Sequence, residues 1–113
     1  MSNPLDSTTI NLFGKDRELT PTFKSLVRIE KELGVKLLTL MRGMAIGDFG
    51  LNDAAVIIHH GLQGDEKAPP YTVEQIGIEI VGRLGKFMPV IANFLSSAVT
   101  AKPENDGGAS SGN

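Results

Sequence analysis

The chain has 113 residues, 41% of them hydrophobic, with 11 Lys+Arg against 13 Asp+Glu, no Cys and no Trp. That suffices for one small domain with its own core, and it excludes disulfide and thiolate chemistry. The net charge of -2 leaves no basic footprint for sequence-independent binding to nucleic acid or an anionic membrane, and no apolar run approaches the ~20 residues that span a bilayer.

The opening MSNPLDSTT has neither the basic start nor the apolar stretch of a secretion signal. A soluble cytoplasmic protein is therefore expected, with residues 1–7 a flexible start. A strand is predicted over Thr8 to Phe13, where Ile10 and Leu12 share one face. Gly14, Lys15 and Asp16 supply the turn, and Arg17 to Thr20 returns with Leu19 on the same side. A lone hairpin is marginal in water, so this one must lie on the helices that follow.

Thr20-Pro21-Thr22 offers two N-caps and a helix-starting proline, after which Phe23, Leu26, Val27 and Glu30 recur at helical spacing up to Leu33; Gly34 ends the helix. A second helix is predicted over about Val35 to Ala45. Its Leu37, Leu38, Leu40, Met41 and Met44 are apolar around much of the circumference, so it is either central to the core or covered by another subunit. Gly43 weakens its last turn. Asn52 is the expected N-cap of a third helix, Asp53 to Leu62, closed by Gly61 or Gly64.

After a loop over 63–71, Thr72-Val73-Glu74-Gln75 matches the capping box, the most secure helix start in the chain. Ile76, Ile80 and Leu84 follow as a stripe at i, i+4, i+8. Pro89 removes the hydrogen bond that would reach Gly85, which predicts two helices with the break at Gly85 to Pro89. The last helix then starts near Pro89, presents Ile91, Phe94, Leu95 and Ala98 to the core, and ends near Thr100. Residues 101–113, AKPENDGGASSGN, cannot bury enough surface to offset their ordering entropy and are expected to be a disordered polar tail. The expected fold is mainly α, one domain over 8–100, with a small N-terminal β-hairpin packed on a compact bundle of about five helices.

Chemistry is sparse. His59 and His60 are neighbours in a helix and point about 100 degrees apart, so they cannot clamp one metal ion, and no Cys or further His completes a site. One at the core edge and one in solvent is the expected arrangement. Gly77 to Leu84 has nearly the glycine spacing of a P-loop but lacks its Lys and Ser/Thr and lies in a helix; close packing or a helix break explains the glycines better. Acidic pairs such as Glu30/Glu32 and Asp65/Glu66 fit solvated surface, and Ser25, Ser96 and Ser97 have no nucleophile elbow. No catalytic, cofactor or metal residue is assigned. Met41, Met44, Phe49, Phe87 and Met88 are the candidate partner surface, because methionine and aromatic side chains make adaptable apolar contacts. Val35 to Leu62 also has the outline of a helix-turn-helix regulator, but its second helix carries no Lys or Arg.

The order of motifs adds a resemblance. The strand, turn and strand followed by FKSLVRIEKELG (23–34), then LNDAAVIIHHGL (51–62), TVEQI (72–76) and the glycine, proline and helix of 84–98 resemble the small tail proteins of gene transfer agents and long-tailed phages, over about residues 8–100. That family is described either as tail assembly chaperones or as tail tube proteins. The resemblance implies a non-enzymatic protein without cofactor, acting in the cytoplasm during particle assembly or resident in the virion tail. Its implied partners are the tape measure protein, the tail tube protein or a second copy of itself.

Overall fold

In the computed structural model, which describes residues 7–99, Thr8–Leu12 (β1) and Lys15–Leu19 (β2) pair antiparallel, with Thr8 opposite Leu19 and Leu12 opposite Lys15. The expectations for residues 1–6, for the helix end at Thr100 and for the tail of 101–113 lie outside the described residues. The turn is Phe13-Gly14 alone, not Gly14 to Asp16: both residues have positive φ, 53 and 77, as a two-residue hairpin of the strands' own twist requires. Lys15 and Asp16 thereby join the ladder. Alternation buries Thr8, Ile10, Leu12 and Leu19 on the face turned toward the helices.

Phe23–Leu33 (α1) starts on Thr22, whose hydroxyl accepts from Ser25 N–H at 3.1 Å, and ends on Gly34 at φ 71. Its buried face is Ser25 and Ile29, with Leu26 and Leu33 half-buried; Phe23, which recurs with Leu26 and Val27 at helical spacing, is 82% exposed. Ser25 is satisfied by the carbonyls of Thr20 and Thr22. Because a helix turns 100 degrees per residue, placing Ser25 and Ile29 inward swings Phe23 outward.

Leu37–Ile46 (α2) is peripheral and packs mainly on the last helix, burying Leu40 and Gly43. Of the two roles expected for its apolar circumference, the central one falls to Leu51–Gln63 (α3) instead. Helix α3 touches α1, β2 and both later helices, and buries an unbroken run from Ala54 to Ile58. Its N-cap is Gly50, not Asn52: the Asp53 carboxylate accepts the Gly50 N–H at 2.9 Å. Gly64 closes the helix, while Gly61 lies inside it, where a Cβ would stand 3.1 Å from Leu19 Cδ2 and 3.3 Å from Phe94 Cε1.

Val73–Ile80 (α4) carries the capping box in full: Thr72 Oγ1 accepts from Gln75 N–H at 3.0 Å, and Gln75 Oε1 from Thr72 N–H at 2.8 Å. Two helices follow Tyr71, as expected, but the break falls at Val81 to Arg83, with Gly82 at φ 80. Leu84–Val99 (α5) runs through Pro89. Pro89 costs Gly85 its usual helical donor, but Gly85 is exposed, so water can satisfy that carbonyl and the helix continues. The stripe is thus divided: Ile76 and Ile80 are buried in α4, and Leu84 packs half-buried at the start of α5.

Gly43 has a role beyond a weak last turn. A Cβ there would overlap the Asp48 carbonyl oxygen, and Asp48 N–H bonds the Gly43 carbonyl at 2.7 Å. Gly43→Ala is expected to destabilise the fold by about 1–3 kcal/mol through overpacking, despite alanine's higher helix propensity; denaturant unfolding measures it. Pro89→Ala should do the opposite, raising the melting temperature by restoring the bond to Gly85.

Candidate functional site

The exposed chemistry of this fold is apolar. Met41, Met44 and Ala45 on α2 face Met88, Pro89 and Ala92 on α5 across an open cleft of about 390 Å³. The i, i+3, i+4 spacing on one helix and the i, i+1, i+4 spacing on the other bring these residues onto facing sides. The two alanines leave room between flexible methionines that are only half-buried. Three of the five residues proposed from sequence therefore share one cleft. Phe49 is half-buried against the core, and Phe87, at 2% exposure, is a core residue with the Arg83 guanidinium 5.8 Å from its ring centre. A partner surface containing Phe87 is thereby corrected.

A second apolar groove, of about 420 Å³, lies between α3 and α4. Ala55 and Gly77 form its floor; Leu51, Ile78 and Val81, exposed by 41%, 67% and 58%, rise around it, and Glu74 is the charged residue on its rim. Sequence reasoning missed it. The available signal was Gly77 in mid-helix beside Ile78, outside the Ile76/Ile80 stripe.

Both histidines belong to a polar and aromatic cluster. The His59 Nδ1–H donates to the Tyr71 carbonyl at 2.8 Å, and the His60 Nε2–H to Glu32 Oε1 on α1 at 2.7 Å. Carbonyl and carboxylate oxygens only accept, so these partners assign the protons. The solvent-facing histidine expected from sequence is absent: His60 is buried and His59 half-buried. Burial, then the neighbouring His60, holds the His59 pKa below its usual value despite the Tyr71 carbonyl and Glu32. The Tyr71 ring in turn stacks on Phe13 at 4.2 Å, with Arg17 5.0 Å from the tyrosine ring centre. The Phe13 N–H donates to Glu79 at 2.9 Å, which lowers the Glu79 pKa, and Arg83 pairs with the same carboxylate at 3.0 Å. These bonds join α3 to α1 and to the Tyr71 loop, and the hairpin turn to α4. Among the described residues the buried His60 Nδ1 has no hydrogen-bond partner, and no three His, Asp or Glu are grouped to hold a metal ion.

Two further features bear on function. Among the described residues no helix is long and apolar enough to cross a membrane. Helix α3, the second helix of the helix-turn-helix outline, buries eight of its 13 residues against its neighbours, which leaves little of it to enter a DNA groove. A family model described as phage tail tube protein, GTA-gp10, matches residues 7–101. No curated protein and no solved structure matches the chain.

The depressed His59 pKa sets a pH dependence. Below the ordinary value of 6.5 the unfolded chain takes up this proton before the folded one does, so stability is full above that pH and declines as pH falls toward the folded pKa. The Glu79 contribution is lost only lower, below 4.5. Melting temperature is expected to fall between pH 7 and pH 5 in the parent and less steeply in His59→Asn, which keeps a donor for Tyr71; equal slopes would refute the assignment.

Proposed function

We propose that this chain, which belongs to the phage tail tube protein family, is a tail assembly chaperone that holds an apolar helical segment of the tape measure or tube protein before assembly. The observation that carries this reading is the methionine-lined cleft between α2 and α5. An amphipathic helix presents apolar side chains at i, i+3, i+4 and i+7, and a groove takes them as a row of anchors. Unbranched methionine side chains repack around different partners, which suits a protein that must hold a segment and release it. In this role it catalyses nothing, needs no cofactor and acts in the cytoplasm of the producing cell.

A structural subunit of the tail tube is the second reading, favoured by the family's description. It would put the chain in the virion tail beside further tube subunits. Pull-down from particle-producing cells separates the two readings when combined with mass spectrometry of purified particles. Capture of tape measure or tube protein in lysate, with absence from particles, is expected for the chaperone; stoichiometric presence in particles would establish the tube subunit instead. Met41→Glu combined with Met88→Glu should weaken partner capture on the order of tenfold or more, with melting preserved because both side chains are half-exposed. Undiminished capture would remove the cleft from the mechanism.

A further inference from the structure

We infer that the groove between α3 and α4 receives the amino-terminal end of α1 from a second copy of this chain, with Phe23 seated on the Ala55 and Gly77 floor and Lys24 facing Glu74. This contact uses a different surface from the α2/α5 cleft and does not depend on which tail role the protein has.

Three observations lead to it. The first is the shape of the groove: two of the smallest side chains make the floor, and the branched Leu51, Ile78 and Val81 make the walls. Gly77 is not required by the fold of its own chain. A Cβ at that position would meet Ala55 Cβ at 3.9 Å, an ordinary contact, and no positive φ demands glycine there. Glycine inside a helix nevertheless costs about 1 kcal/mol relative to alanine. What it provides is depth.

The second observation is the knob. Phe23, the first residue of α1, is 82% exposed, the most exposed large hydrophobic side chain among the described residues. A single aromatic ring entering a small-floored apolar pocket is the usual centre of a protein interface. The third is charge. Lys24 follows Phe23 and is exposed, while Glu74 is the charged residue of the groove; neither has an ion-pair partner among the described residues. The α2/α5 cleft, lined by Met, Ala and Pro, has no charge to meet Lys24.

Knob and groove lie on different elements, so the contact either closes as an isologous pair of copies exchanging knobs or continues head to tail as a heterologous ring. Apolar residues around the groove remain available to extend the contact toward the roughly 1,000 Å² that a specific interface requires.

Sedimentation velocity over a concentration series of the full chain tests the proposal. The parent is expected to associate reversibly, and Phe23→Ser and Gly77→Ala each to weaken association on the order of tenfold or more. Gly77→Ala is the decisive variant, because by helix propensity the isolated subunit should melt at or above the parent temperature, so its loss of association cannot be loss of folding. Lys24→Glu or Glu74→Lys alone should weaken the contact, and the two together should restore it. A parent that stays monomeric throughout the series overturns the proposal, as does association unchanged in both Phe23→Ser and Gly77→Ala. Loss of tail-protein capture by Gly77→Ala in an otherwise monomeric chain would assign the groove to that partner instead, and would equally overturn it.

Discussion

The structure depends on enclosing one helix. A helix of 13 residues with eight of them buried can be stable only if its neighbours cover nearly its whole circumference, and α1, β2, α4 and α5 do so. Close approach on that many sides needs small residues where the neighbours come nearest. Gly61 lets Leu19 and Phe94 pack against the α3 backbone, and Ala54 and Ala55 keep the same helix slim near its start. The hairpin, too small to be stable alone, gains its stability by burying Ile10, Leu12 and Leu19 in this arrangement.

Enclosing α3 exhausts the apolar surface the core can use and leaves a surplus on the periphery. Helix α2 contributes only Leu40 and Gly43 as fully buried residues, so Leu38 and Ile46 remain exposed and its methionines border an open cleft. Helix α4 similarly commits Ile76 and Ile80 inward and leaves Ile78 outside. Exposed apolar side chains beside open apolar clefts are a common mark of surfaces that meet other proteins. They fit the role proposed for this member of the phage tail tube protein family.

Polar groups connect what apolar packing alone would leave loosely joined. Tyr71 receives the His59 proton on its carbonyl and stacks its ring on Phe13, linking α3 to the hairpin turn. The turn holds Phe13 at positive φ, which costs a non-glycine residue roughly 1–2 kcal/mol. The Tyr71 stack and the bond from the Phe13 N–H to Glu79 offset that cost and anchor the hairpin to α4. Asparagine would suit the dihedral better, but it would forfeit the ring contact.

Features whose cause lies within four or five residues were legible in the sequence. The Thr72 to Gln75 capping box, the Thr22 cap, the Gly34 stop and the inward face of β1 all follow from local hydrogen bonding or strand alternation. The hairpin with five helices was legible as well. The tertiary structure decided what depends on distant neighbours. Periodicity shows that α2 and α3 are both apolar, but which one is enclosed depends on whose small residues admit Leu19 and Phe94. Whether Pro89 breaks a helix depends on whether water reaches the Gly85 carbonyl. Phe87, expected on a partner surface, is buried because helical phase is set by the partners a face meets. The α2/α5 cleft lies between helices far apart in sequence, and although Gly77 beside Ile78 was a local sign of the groove between α3 and α4, only the packing of the helices creates either depression.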